Sequence, residues 1–299
     1  MRRVLLSCGP GAARATRTPS TVRRRLAVLG SPVAHSLSPT LHTAAYQHLG
    51  LDWVYERHEV REAELAGFVD GLDSSWRGLS ATMPLKEELL ALADERDIAS
   101  MLTGAANTLL LDDDGVRRVR NTDVAGIERA LRDAGVVTAE HAVIVGAGAT
   151  ARSVLVALEG LGLRSAVLAV REPARAQAMV TLGDRLGLEL DVVRLTDLDQ
   201  VVDECDVVAW TLPNGVGLHQ PLPFDARTSA VALDVTYHPW PGPLAAQWLE
   251  VGGRVASGRD MLLHQAVRQV RFFVSGQTEV PLDDESGVEA AMRAALDLV

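Results

Sequence analysis

The sequence predicts an α/β protein of two units, each a mostly parallel, doubly wound sheet covered by helices. Short apolar runs rich in Val, Ala and Leu alternate with helix-length stretches along the whole chain, which is the pattern of successive βαβ units. A length of 299 residues suits two such units better than one. No internal repeat appears. The most apolar run, from Ala142, is broken by Gly146, Gly148 and Arg152 before it reaches membrane-spanning length.

The elements can be placed in order. LAVLG (26–30), WVYERHEV (53–60), HAVIVGAG (141–148), SAVLAV (165–170), LDVVRL (190–195), DVVAW (206–210) and AVALDV (230–235) read as strands. Helical stretches lie near 39–50, 61–72, 84–93, 123–134, 149–162, 173–187 and 243–251. The first unit is expected over 25–123 and the second over 124–258, with the division where Asn121–Asp123 opens a helix. Helices at 259–275 and 287–298 are left over, so the segment 259–299 is expected to pack back on the first unit.

Composition narrows the function. Apolar residues make up 47% and aromatics only 4%, so the core is built from Ala, Val and Leu. A formal charge of −10 argues against nucleic acid as the main partner. Cys8 and Cys205 lie far apart, which suits a reducing cytoplasm better than a disulfide framework. The eight histidines and two cysteines show no metal-ligand spacing, so no metal is expected. Residues 1–24 are rich in arginine and free of acid; they read as a disordered tail, with a transit peptide or anionic tether as the alternatives. One count is informative: among 29 basic residues the single lysine is Lys86, and asparagine occurs only at 107, 121 and 214. Drift that replaced Lys by Arg elsewhere has spared the position where an ammonium must exchange a proton. Survival by chance on a solvated helix is the plainer reading.

AVIVGAGATARSVLVALEGLG holds the clearest motif. A strand ends at Val145, and Gly146, Gly148 and Ala151 then match G-x-G-x-x-G/A before an apolar helix. Gly146 permits the tight turn, Gly148 lets a pyrophosphate reach the backbone, and Ala151 allows close helix–strand packing. The helix start offers unpaired N–H groups and a positive dipole. This is a Rossmann-type dinucleotide site with Gly146, Ala147, Gly148 and Ala149 in its turn; a ligand-free strand–helix turn is the alternative. Arg171, after the second strand, suits a 2′-phosphate and points to NADP. Glu172 beside it keeps NAD possible.

Other segments supply polar groups. Ser36 and Ser38 in GSPVAHSLSPTLH lie two apart beside a helix start, a credible carboxylate cradle; Ser38 before Pro39 also reads as a helix N-cap. LSATMPLKEE puts Thr82 at a strand end and Lys86 in a first helical turn, where an ammonium opposes the dipole. GAANTLL adds Asn107, and RNTDVAG adds Asn121 and Asp123, the latter a catalytic candidate or merely an N-cap. GRDMLLHQA adds Gln265, with His264 beside it read as a packing residue.

The ordered set SLSP, ATMPLK, AANT, NTD, GAGATAR, TYHP and GRDMLLHQ resembles the shikimate dehydrogenase family over about residues 26–275. The resemblance implies an N-terminal α/β substrate domain, a Rossmann domain for NADP, and an active site in the groove between them. It implies reversible reduction of 3-dehydroshikimate to shikimate, with Lys86 and Asp123 as the catalytic pair. Ser36 and Ser38 then bind the carboxylate, Thr82, Asn107 and Gln265 bind the ring hydroxyls, and Tyr237 lies near the cleft. Gly146, Gly148, Ala149 and Arg171 match the cofactor loops. The chain departs from the family at Val170-Arg171-Glu172, where Asn-Arg-Thr is usual, and at Trp210-Thr211-Leu212-Pro213, where Asn-Ala-Thr-Ser is usual. The rival readings are an NAD-dependent quinate/shikimate dehydrogenase and a non-catalytic sensor that kept the fold. The expected partners are small molecules, with neither nucleic acid nor membrane, for a monomer or homodimer.

Overall fold

A computed structural model describes residues 23–112, 114–202, 205–213 and 221–298. The arginine-rich stretch up to residue 22, Cys8 and Asn214 lie outside the described residues. The strands of the first half are β1 (Arg24–Gly30), β2 (Trp53–Glu59), β3 (Trp76–Ala81), β4 (Glu95–Arg96), β5 (Thr108–Leu111) and β6 (Arg117–Arg120). Those of the second half are β7 (His141–Val145), β8 (Ser165–Val170), β9 (Glu189–Arg194), β10 (Val207–Trp210), β11 (Val231–Asp234) and β12 (Val255–Ser257). They form two six-stranded sheets, ordered β2-β1-β3-β5-β6-β4 and β12-β11-β10-β7-β8-β9.

The second sheet is parallel throughout. Its central strands are buried on both faces, which is why they read as unbroken apolar runs rather than as alternating ones. The first sheet is mixed. β5 runs antiparallel to β3 and to β6, a departure from the parallel expectation. A short connection between β5 and β6 leaves room only for a hairpin, since a parallel return needs a long crossover.

Among the described residues eleven helices cover the sheets: α1 (Ser38–His48), α2 (Leu65–Asp70), α3 (Lys86–Ala91), α4 (Ile98–Thr103), α5 (Asp123–Asp133), α6 (Ala149–Glu159), α7 (Gln177–Leu186), α8 (Phe224–Ser229), α9 (Pro243–Glu250), α10 (Gly258–Ser275) and α11 (Glu285–Asp297). α4, α8 and strands β4, β5, β6 and β12 have no counterpart in the sequence reading. α4 is started by Asp97, whose carboxylate accepts from the Ser100 N–H at 2.9 Å, and is stopped by Gly104 in the left-handed region. At α1 the expected cap is displaced: Leu37 holds the N-cap position and Ser38 is the first helical residue.

Each sheet carries an apolar core on both faces. α5, α6 and α7 cover one face of the second sheet; α9, through Leu244 and Trp248, covers the other. α1, α10 and α11 cover one face of the first sheet, and α2 and α3 the other. α10 contributes Met261 to the core of the second sheet and Val270, Phe272 and Phe273 to that of the first, so one helix belongs to both. Among the described residues no helix is long and apolar enough to cross a membrane.

Candidate functional site

The C-terminal ends of β1, β3, β7 and β10 face a cleft between the two sheets, where loops rather than ladder positions carry side chains. The cleft has two connected parts that share Thr82, Met83, Lys86 and Thr150 together with Thr211, Leu212 and Pro213. The part beside the first sheet is a cavity of about 440 Å³. It brings together Ser36, Ser38, Thr82, Lys86, Asn107 and Asp123 with Tyr237 and Gln265. Asn121 is not among them: its Nδ2 is held by Thr103 Oγ1, the Ala105 carbonyl and Ser153 Oγ.

At its centre, Lys86 Nζ donates to Asp123 Oδ2 at 2.5 Å. Both side chains are largely shielded, 14% and 6% exposed, so the contact is screened far less than a surface ion pair. Each opens a helix, α3 or α5, and the positive end of α5 favours the Asp123 carboxylate. Asp123 is therefore no N-cap; Thr122 holds that position, and the Asp123 N–H is taken by Asn121 Oδ1 at 3.0 Å. The second Asp123 oxygen, Oδ1, accepts from Asn107 Nδ2 at 2.8 Å. The Asn107 amide is held in turn: its Oδ1 accepts from the Thr122 N–H at 2.9 Å, and its Nδ2 lies 2.9 Å from Thr122 Oγ1 and 3.3 Å from Gln265 Oε1. Gln265 reaches the group from α10, tying the last third of the chain into the site.

At the other end of the cavity, Ser36 and Ser38 are buried, and the Ser38 N–H points at Ser36 Oγ at 3.3 Å. The serine loop is pinned from β2, where Arg57 Nε donates to the Ser36 carbonyl at 2.9 Å. Tyr237 closes this end; burial pushes its phenol up, so its O–H stays a hydrogen-bond donor. A ring of neutral donors around an enclosed space suits a carboxylate.

The part of the cleft beside the second sheet is a cavity of about 780 Å³ lined by Gly146, Ala147, Gly148, Ala149 and Arg171. Gly146 adopts φ +113°, and a Cβ there would run into the Thr211 side chain. Gly148 is different: extended, it caps α6, and a Cβ there would meet nothing within 4 Å. The backbone is thus bare on its open side, at the start of an eleven-residue helix whose first N–H groups face the cavity. Ala151 is fully buried, as close helix–strand packing requires. Glu172 pairs with Arg175 at 2.7 Å, whereas Arg171 has no acidic partner among the described residues. The residues present therefore fit a dinucleotide phosphate, and Arg171 is the cation available for a further one.

Several groups escaped the sequence reading. Ser80, Met83 and Gln269 line the cleft. Gln269 was discoverable, because it lies four residues after Gln265 on the same helix face. Arg152 of α6 is buried; its Nε donates to the Thr103 carbonyl at 2.5 Å and its Nη2 to the Glu87 carboxylate, joining the glycine-turn helix to α3 and α4. His264 packs as expected, 2.9 Å from Asp133.

Residues 28–109 match a family model described as the shikimate dehydrogenase substrate-binding domain, and residues 128–212 match one described as shikimate / quinate 5-dehydrogenase. A protein of Rubrobacter xylanophilus named shikimate dehydrogenase (NADP(+)) is 34% identical over 90% of this chain and 94% of its own. The crystal structure of Mycobacterium tuberculosis shikimate dehydrogenase superposes with a TM-score of 0.77 at 39% identity, covering 92% of this chain and 100% of that one. The Thermus thermophilus shikimate 5-dehydrogenase, solved in complex with NADP(H) and shikimate, gives 0.74 at 33% identity over 91% of this chain and 99% of that one.

Proposed function

Because the chain belongs to the shikimate dehydrogenase family, we propose that it catalyses the reversible NADPH-dependent reduction of 3-dehydroshikimate to shikimate. The observation that carries this reading is the Lys86–Asp123 contact at the junction of the two cavities, where a substrate ring meets a dinucleotide laid over the glycine turn.

The nicotinamide, when bound, supplies or takes up a hydride at the ring carbon. What this chain adds is position and a proton. Ser36, Ser38 and Tyr237 hold the substrate carboxylate at the far end of the cavity, and Thr82, Asn107 and Gln265 bind ring hydroxyls. That orientation brings the reacting oxygen to Lys86 Nζ. Lys86 donates a proton as the ketone becomes a hydroxyl and accepts one in the reverse direction. Asp123 fixes the ammonium in place and balances its charge. Gly146, Ala147, Gly148 and Ala149 present backbone to the pyrophosphate, and Arg171 meets the 2′-phosphate.

NADP is favoured over NAD by the local ion pairs: Glu172, the residue that could bind a ribose hydroxyl, is engaged by Arg175, while Arg171 is left for a phosphate. The division into a substrate domain over 25–123, completed by 259–299, and a cofactor domain over 124–258 follows from this reading. So does activity on small molecules in the cytoplasm, by a monomer or homodimer. The test is an absorbance assay of dinucleotide reduction with shikimate or quinate, each with NADP and NAD. Shikimate with NADP is expected to give the highest kcat/KM. Absence of turnover with shikimate would leave the sensor reading standing, and preference for quinate with NAD would replace the substrate and cofactor assigned.

A further inference from the structure

Behind the cavity a chain of buried polar groups leads to Asn107 and Asp123. His42 Nδ1 is 3.0 Å from the Tyr46 hydroxyl, and its Nε2 is 3.1 Å from Gln269 Oε1. Gln269 Nε2 donates to Thr108 Oγ1 at 3.0 Å and lies 3.4 Å from the Asn107 carbonyl. Thr108 Oγ1 donates to Asn107 Oδ1 at 2.8 Å, and Asn107 Nδ2 donates to Asp123 Oδ1. The chain thus runs from α1 through α10 and β5 to the start of α5. His42, Gln269, Thr108 and Asn107 are all at most 2% exposed, so each unmade hydrogen bond here carries its full desolvation cost.

The donors can point only one way. Burial holds the His42 imidazole neutral, taking its pKa to about 3 against the opposing pull of the Gln269 hydrogen bond, so the ring has one donor and one acceptor. With Nε2–H directed at Gln269 Oε1, Nδ1 accepts from Tyr46. The reverse arrangement would leave the buried Tyr46 hydrogen with no acceptor among the described residues. It would also set Gln269 Oε1 against the Asn107 carbonyl, and Thr108 Oγ1 against Asn107 Oδ1 with no proton between them. The ring itself is locked, stacked on Tyr55 with centroids 4.0 Å apart and planes 8° from parallel.

We infer that His42 is a positioning residue for the proton-transfer pair: its N–H fixes the Gln269 amide, Gln269 fixes the Thr108 hydroxyl, and Thr108, together with the Thr122 N–H, makes Asn107 present nitrogen rather than oxygen to Asp123. Were the Asn107 amide reversed, its oxygen would face the Asp123 carboxylate and push that side chain away from Lys86. This inference rests on the assignment of Lys86 and Asp123 above.

The experiment measures kcat, KM for shikimate and the thermal midpoint for His42→Leu, Thr108→Val and Asn107→Ala, and for the first two combined with the third. His42→Leu and Thr108→Val are each expected to lower kcat about tenfold while KM changes less than about twofold, since small displacements of a reacting group cost rate more than binding. Both effects should disappear in the Asn107→Ala background, because the path to Asp123 is already cut; a purely structural role would add instead. Additive losses, or a Thr108→Val kcat within about twofold of wild type, overturn the inference. Should His42→Leu fail to fold, Thr108→Val alone decides, since it keeps the volume of the site. Wild-type turnover of shikimate in the same assay separates failure of this inference from failure of the functional reading.

Discussion

The two sides of the cleft use different parts of the polypeptide. Beside the first sheet the working groups are side chains, drawn from β1, β3, β5, α3, α5 and α10 and cross-linked by hydrogen bonds between buried amides and hydroxyls. Beside the second sheet the working surface is mainly backbone, four residues from Gly146 to Ala149 in a setting of Val, Ala and Leu, with Arg171 the side chain proposed to bind there. A sugar-like acid has a particular set of donors and acceptors to be matched, so it demands chemically distinct side chains. A pyrophosphate demands only N–H groups and space, which a glycine turn provides without any side chain. The first half should therefore suffer from atoms removed, and the second from atoms added.

Lys86→Ala is the largest expected effect: kcat for shikimate falls about 10²–10⁴-fold with a small change in KM, measured by steady-state rates. Near-normal kcat would dissolve the distinction on the substrate side. Next comes Gly146→Ala, which forces a side chain into a positive-φ turn already filled by Thr211; a loss of about 1–3 kcal/mol is expected in denaturant unfolding. His42 provides a third measurement, because its imidazole stays neutral in the fold to about pH 3. The unfolded chain takes up a proton below about pH 6.5 that the native state refuses, so stability falls as pH drops through that window. His42→Leu should shrink the stability difference between pH 7 and pH 5 by about 2 kcal/mol, and an unchanged slope would show that the ring is charged or solvated. Smallest in stability is Gly148→Ala, where open space predicts a change within about 0.5 kcal/mol in the same unfolding experiment. Its KM for NADP should nevertheless rise about tenfold as the methyl group fills the phosphate cradle. An unchanged KM would mean that the phosphate does not rest on that turn.

The two halves also differed in how far they could be read from sequence. The second sheet was legible because strands buried on both faces spell out continuous apolar runs, and because the glycine turn sits at a fixed place between strand and helix. The residues carried by motifs of several residues line the cleft, apart from Asn121, which is turned into structural hydrogen bonds beside it. The middle of the first sheet was opaque. β6 reads Arg-Arg-Val-Arg, and only Val119 is buried; Arg117 is held by Asp70, Arg118 by Asp114 and Glu95, and Arg120 lies over the Phe272 ring, partners that the strand's own pattern does not reveal. Such a strand exists through its neighbours rather than through its own pattern. The buried relay through His42 and Gln269 was hidden for a related reason: its members stand 227 residues apart and meet only because α1 and α10 share one face of the sheet.

Where α5 and α10 cross, Gly126 lies against Gln265, and a Cβ at 126 would strike the Gln265 Cβ and the Met261 carbonyl. The two helices therefore touch almost backbone to backbone, beside the cavity of the first sheet. No side chain larger than hydrogen fits at 126 unless α10 shifts, and α10 is the helix that carries Gln265 to the Asn107 amide. The spacing of these two helices thus sets how deep Gln265 reaches, and a methyl group at 126 would lift it out of the hydrogen-bonded cluster.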